Sequence, residues 1–196
     1  MSSTRVNRRL EQPRERVLAA TLEMIAEGGL SALTMAALGK RLGTSGGHLL
    51  YYFGTKDKLL LETLRWSEDS YTEQRGAIAA GTADLAESLD AFFDLYLPQH
   101  PADPRWLLWL ELWARAPYDA ELAAGEWELE QPWRADLHRI LTRCLGEERA
   151  REITESTWVD GTIAMLDGFA IAVVTGAPIE RKYAQQVLHE RALQLT

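Results

Sequence analysis

The chain has 196 residues, 46% hydrophobic and 26% charged, with a net charge of −8. That is enough for one globular body, or a small module joined to a larger one, with a sizeable core. The single cysteine, Cys144, excludes an intrachain disulfide, and no apolar run follows the first basic residues to mark a signal peptide.

Charge is uneven along the chain. Met1 to Lys58 holds nine Lys/Arg against five acids, a net of +4, and the remainder is left at −12. A basic head on an acidic body suggests a polyanion partner for the head alone. Nothing reads as strand: long apolar–polar alternation is absent, and alanine, leucine and glutamate dominate. Residues 1–12, with Arg5, Arg8 and Arg9, are expected to be a mobile basic arm. A helical stripe (Val17, Leu18, Thr21, Leu22, Met24, Ile25) predicts a helix from Glu11 to Glu27, stopped by Gly28-Gly29. Thr34 caps a short helix through Leu42, Gly43 turns the chain, and Thr44 or Ser45 caps a second through about Phe53. Thr55 then caps a long helix from Lys56 to about Ile78, with Asp57 in its favourable first turn. Further helices are predicted at about 83–97, 104–115, 118–145, 150–175 and 178–193. Their breaks fall at Pro98, Pro101, Pro104, Pro117, Gly146, Gly176 and Pro178, while Pro132 kinks or divides the third.

The stretch GTSGGHLLYYFGTKDKLL, Gly43 to Leu60, carries the first chemistry. Two short helices joined by a glycine turn, after a longer helix, make a helix-turn-helix module. Such modules put the second helix into the DNA major groove, N-terminal end first. Glycine in a first helical turn costs about 1 kcal/mol against alanine, so something must need a thin backbone there. Gly46 and Gly47 read as clearance for DNA. Ser45, His48, Tyr51 and Tyr52 offer hydrogen bonds to phosphates or base edges, and Leu49 reads as packed inward. Lys56 adds an ammonium beside a helix N-terminus, where a phosphate is favoured. A structural helical hairpin is the competing explanation.

Arg14 to Leu60 resembles the N-terminal domain of the TetR family of transcriptional regulators, through IAEGG, LTMAALGKRLG, TSGG, YYF and TKDKLL. The family usually has tyrosine where this chain has Leu50, and often histidine where it has Tyr52. The resemblance implies that Thr34 and Thr44 touch phosphates, that Ser45, Gly46, Gly47 and His48 face the groove, and that Tyr51, Tyr52 and Lys56 lie beside the backbone of double-stranded DNA. It also implies an all-α homodimer, with a helix-turn-helix domain over 13–55 and a larger ligand-binding and dimerisation domain over 56–196. WLELWARA and MLDGFAIAVVTGAP are similar to the C-terminal domain of the betaine-regulator, BetI-type, branch.

In the body, Gly161 to Ile179 is the most apolar segment, yet carries Asp167 near its middle, and reads as a buried helix and its end rather than a membrane span. Gly161, Ala164, Gly168 and Ala172 make a small-residue stripe that lets another helix approach, either across a dimer axis or within one subunit. Trp158, Thr162, Met165 and Phe169 form a second, bulky stripe. Trp106, Trp109 and Trp113 share a helical face, preceded by Phe92, Phe93 and Tyr96 and accompanied by Glu111. Phe92, Tyr96, Trp106, Trp109, Glu111, Trp113, Trp158, Met165 and Phe169 are the candidate ligand contacts. Aromatics with carboxylates suit a cationic, partly apolar effector; a neutral hydrophobic effector, or an ordinary core with Glu111 paired to Arg115, fits the same spacing. The four histidines are scattered and no phosphate loop or zinc spacing appears, so no catalytic residue, metal or cofactor is expected. The resulting expectation is a cytoplasmic, ligand-responsive DNA-binding repressor without a membrane partner. The rival is a helical scaffold that binds no DNA.

Overall fold

The computed structural model describes residues 14–195, which form eleven α-helices and one 3-10 turn. The basic arm predicted over 1–12, with Arg5, Arg8 and Arg9, lies outside the described residues.

Hydroxyl caps and glycines set the head. Helix α1 (Arg14–Ala32) buries Val17, Leu18, Thr21, Met24 and Ile25, and leaves helical geometry at Gly29 (φ 69°) before a last short turn. Helix α2 (Met35–Leu42) starts where the Thr34 hydroxyl accepts from the Ala37 N–H at 3.0 Å and ends at left-handed Gly43 (φ 72°). Helix α3 (Gly46–Phe53) is capped by Ser45 and α4 (Lys56–Asp69) by Thr55, each accepting from an N–H three residues on at 3.1 Å. Leu38, Leu49 and Phe53 close a small core with α1, each buried side chain contributing about 1.5–3 kcal/mol. Arg41 ties α2 back to α1 through Glu23 at 3.1 Å and Glu27 at 2.6 Å.

Two predicted helices are divided in the structure. The long helix expected from Lys56 to Ile78 breaks after α4, where the Ser70 hydroxyl donates to the Ser67 carbonyl at 2.6 Å, and resumes as α5 (Thr72–Ala79). The helix expected over 150–175 is split into α9 (Glu147–Glu155) and α10 (Trp158–Val174). Ser156 explains the split: its hydroxyl donates to the Ile153 carbonyl at 2.6 Å and accepts from the Trp158 N–H at 3.1 Å. In both places a serine offers the backbone an alternative to the helical ladder, which hydrophobic periodicity does not register. Helices α6 (Leu85–Tyr96) and α7 (Pro104–Arg115) are capped by Asp84 and Asp103. Helix α8 (Ala120–Leu145) runs through Pro132 undivided, and α11 (Arg181–Leu193) ends the body.

Helix α8 is the spine of the body, packed against α4, α5, α6, α7 and α9, while α11 lies on α6 and α10. The head joins the body where α1 packs on α4 and α7. Arg14 pairs with Glu62 across that junction, and Lys58 with Glu121 at 2.9 Å and Arg65 with Glu128 at 2.6 Å tie α4 to α8. No single helix among the described residues is long and apolar enough to cross a membrane.

Candidate functional site

The two adjacent glycines of α3 turn out to have different jobs. A Cβ on Gly46 would sit 2.9 Å from the Met35 carbonyl and the Ala36 nitrogen, and one on Gly39 would sit 2.7 Å from the Gly46 nitrogen. Gly46 therefore serves the close crossing of α2 and α3, which corrects its assignment to the groove-facing set. Gly47 is exposed, with only the Ser45 hydroxyl at 3.9 Å from a would-be Cβ, and is the glycine that clears space outward. His48 also departs from its expected outward pose. Its Nδ1 lies 3.0 Å from the Thr44 hydroxyl, its ring packs edge-on to Tyr52 at 5.0 Å, and its Nε2 is buried without a hydrogen-bond partner.

What remains outward is Thr34, Ser45, Gly47, Leu50 and Tyr51, the last 78% exposed, with Lys56 half-buried at the start of α4. Thr34 and Ser45 accept from backbone N–H groups through their hydroxyl oxygens. Each keeps its own O–H proton to donate to a phosphate.

A second constellation lies inside the body. Glu68 of α4, 3% exposed, has one carboxylate oxygen bound by the Trp109 indole N–H and the other by that of Trp133, both at 2.9 Å. Arg105, 4% exposed at the start of α7, holds its guanidinium 3.8 Å from Glu68, 4.5 Å from the Tyr71 ring centre and 5.4 Å from that of Trp106. It also donates to the Tyr96 carbonyl, which accepts from the Trp106 indole at 3.2 Å. Glu68, Tyr96, Arg105, Trp106, Trp109, Glu130 and Trp133 enclose a space of about 10 Å³, room for about one water. The Tyr96 hydroxyl donates to Asp167 of α10 at 2.7 Å. Burial raises the Tyr96 hydroxyl well above its ordinary range, and Asp167 adds to the effect. Burial also pushes Asp167 up to about 6, against the opposing pull of that hydrogen bond. Aromatic walls over fixed carboxylates are what stabilise an organic cation in an apolar setting.

The sequence-predicted ligand residues divide around this cavity. Tyr96, Trp106 and Trp109 line it, Phe92 packs edge-on to Trp133 at 5.6 Å, and Trp113 meets Trp106 and Trp109 at 6.0 and 5.7 Å. Glu111 does not line it: it pairs with Arg115, which bonds Asp57 at 2.6 Å, at the opposite end of α7. Trp158 stacks under Arg191 at 5.3 Å, Phe169 packs on Tyr183 at 6.3 Å, and Met165 is half-buried on the same helix; none of the three lines the cavity. Sequence spacing missed Glu68, Arg105 and Trp133, which sit on helices whose own periodicity only announces a core, and Tyr71, which lies in the turn between α4 and α5.

On α10, Ala164 and Gly168 are exposed and Ala172 is half-buried, beside Ile171 (38% exposed) and Tyr183 (54%). Gly161 leaves this open stripe. A Cβ there would meet the Arg191 guanidinium at 3.0 Å, which itself bonds the Trp158 carbonyl at 3.0 Å and the Thr162 hydroxyl at 2.6 Å. Gly161 thus makes room for Arg191 of the same chain, a correction to its placement in an intersubunit stripe.

Comparison with known proteins adds the following. Residues 17–63 match the family described as bacterial regulatory proteins, tetR family. Residues 85–195 match the family described as BetI-type transcriptional repressor, C-terminal. The chain is 27% identical over 185 residues to the HTH-type transcriptional regulator BetI of Burkholderia ambifaria, covering 90% of each chain. It is 28% identical over 190 residues to that of Burkholderia mallei, covering 93% of this chain and 92% of the relative. A transcriptional regulator from Rhodococcus sp. superposes with a TM-score of 0.76 at 24% identity, over 94% of this chain and 96% of that one. A regulator from Saccharomonospora viridis, solved in complex with choline, superposes with a TM-score of 0.70 at 22% identity, over 92% and 93%.

Proposed function

The chain belongs to the TetR family of bacterial transcriptional regulators, with a BetI-type C-terminal domain, and from that premise we propose that it is a dimeric, cytoplasmic, non-catalytic repressor released from a near-palindromic operator by a small organic cation. The outward face of α3 carries the reading: a hydroxyl-capped helix start, thinned at Gly47 and flanked by exposed Tyr51, has no packing role to explain it. Residues 13–55 act as the DNA-binding domain and 56–196 as the effector and dimerisation domain. Two copies associate through the open faces of α10 and α11 into a four-helix bundle, which sets their recognition helices about 34 Å apart, one turn of DNA.

The effector is a quaternary ammonium compound of the choline type. The reading is supported by the indole-walled cavity around Glu68 and by the choline held by the structurally similar Saccharomonospora protein. Bound effector favours a head spacing that no longer matches the operator, a shift between two populations. Fluorescence anisotropy with DNA from the chain's own promoter region tests this. Binding should prefer a near-palindrome over random duplex, fall steeply with salt, and be reversed by choline. A monomer with no preference for any duplex at low ionic strength would end the proposal.

A further inference from the structure

We propose that the Arg105 guanidinium is a tethered cation that fills the indole-walled cavity when no effector is present, and that an organic cation enters by displacing it from Glu68. The inference rests on reading that cavity as the effector site. Arg105 already makes the contacts such a guest would make: it lies against Tyr71 and Trp106 and provides the buried Glu68 with a positive neighbour. With it in place, the remaining space of about 10 Å³ has room for about one water, so a methylated ammonium cannot bind beside it.

Arg105 is only partly satisfied, which makes it exchangeable: its guanidinium donates to the Tyr96 carbonyl but makes no hydrogen bond to the carboxylate. Its closest approach to Glu68, 3.8 Å, is beyond hydrogen-bond reach, and its Nε has no acceptor although the residue is 4% exposed. The two indole N–H groups, rather than Arg105, hold the carboxylate in place. Glu68 therefore keeps its orientation when one cation replaces another. The second guanidinium nearby, Arg75, stands over Trp133 at 4.8 Å but has its own counter-ion, Asp136, at 3.3 Å and does not line the cavity.

Position gives the exchange a route to the head. Arg105 lies in the first turn of α7 and ties it to the end of α6 through the Tyr96 carbonyl. Helix α7 packs on α1 and α4, and its last residue, Arg115, bonds Asp57 in the first turn of α4. Withdrawal of Arg105 frees one end of α7 from α4 and α6 while the other stays fastened beside the recognition helix.

Two measurements on the full chain decide the matter. In the first, choline and tetramethylammonium are titrated into the wild type and Arg105→Met, followed by calorimetry and tryptophan fluorescence. A competitor that keeps most cavities filled lowers apparent affinity by the fraction left open, so its removal should tighten both cations by about tenfold or more. In the second, wild-type protein is treated with phenylglyoxal with and without choline and its arginines are mapped by mass spectrometry. Arg105 should be protected alone and modified in the complex, with Arg75 protected throughout. A folded Arg105→Met that binds no tighter, or an Arg105 that stays protected at saturating choline, overturns the exchange while leaving the effector site standing. Should Arg105→Met fail to fold, the labelling of the wild type decides by itself. If neither cation binds either protein, the effector reading fails and takes this inference with it.

Discussion

In the head, the side chain that starts each of α2, α3 and α4 lies three residues from the N–H it binds. Around the cavity, Glu68 binds indoles 41 and 65 residues away, and Tyr96 a carboxylate 71 residues away. One site is written within a few turns of chain; the other exists only once α4, α6, α7, α8 and α10 have come together. The head can lose an outward group without losing its shape. The cavity cannot lose a central group without charging the whole body for it.

Two carboxylates sharpen that contrast most. Glu68→Ala leaves Arg105 buried without a counter-ion and two indole N–H groups without acceptors. A loss of about 3–5 kcal/mol in unfolding free energy is expected. Glu111→Ala removes a partner from Arg115, which is 39% exposed and keeps Asp57; less than about 1 kcal/mol is expected. Urea unfolding of both variants measures the difference. Equal losses would mean that the buried cluster is no more central than a surface pair.

The adjacent glycines make the same contrast inside the head. Gly46→Ala drives a methyl group toward the Met35 and Ala36 backbone, which cannot withdraw without moving α2. A destabilisation of about 1–3 kcal/mol is expected, with loss of DNA binding following from it. Gly47→Ala meets open space and gains helix propensity, by up to about 1 kcal/mol. Its melting temperature should hold or rise while operator affinity falls. A drop in both for Gly47→Ala would put that residue in the packing class as well.

Weaker still is the effect of stripping the phosphate-facing groups. Tyr51 is 78% exposed and Lys56 is half-buried at a helix start, so Tyr51→Ala/Lys56→Ala should melt as the wild type does. It should bind every duplex about tenfold more weakly, with the slope of log affinity against log salt reduced by about 1. A change in sequence preference rather than in overall affinity would assign these two side chains to base edges.

The same contrast explains what could be read in advance. The caps at Thr34 and Thr55, the turn at Gly43 and the inward Leu49 follow from spacing and local chemistry, and the structure has them where those predict. Tyr96, Trp106 and Trp109 were recognisable as candidates because aromatic residues at helical spacing are visible along one chain segment. Their carboxylate was not. Glu111 is the acid nearest in sequence, yet its direction on α7 carries it to Arg115 and Asp57. The acid that the indoles hold comes from α4, where Glu68 looks like any polar residue on a long helix. Gly46 and Gly161 were misplaced for a related reason: a missing side chain shows that something approaches, and only the packing shows whether it is another molecule or the chain's own backbone or arginine.

Asp167 gives the smallest effect and the most direct test of how the body tolerates buried charge. Burial holds its carboxyl at about 6 in place of the ordinary 3.8. Between those values the folded chain keeps a proton that the unfolded chain has released. This group's contribution to stability is therefore most favourable below about pH 4, declines as pH rises through 6, and is level above that. Asp167→Asn removes the titration while its amide oxygen still accepts from the Tyr96 hydroxyl. Relative to the wild type, the variant should gain ~1 kcal/mol between pH 4 and pH 7, reduced from the full shift because the site is partly open to solvent. Parallel urea midpoints at the two pH values read this out. The same carboxylate, once ionised, faces the cavity through Tyr96, with Glu130 and Glu126 adding negative charge around it and Arg134 opposing them. Choline should accordingly bind the wild type more tightly at pH 7 than at pH 5, and Asp167→Asn should lose most of that difference. A variant that keeps the full difference would move the source of the pH dependence to Glu126, whose carboxyl burial also raises.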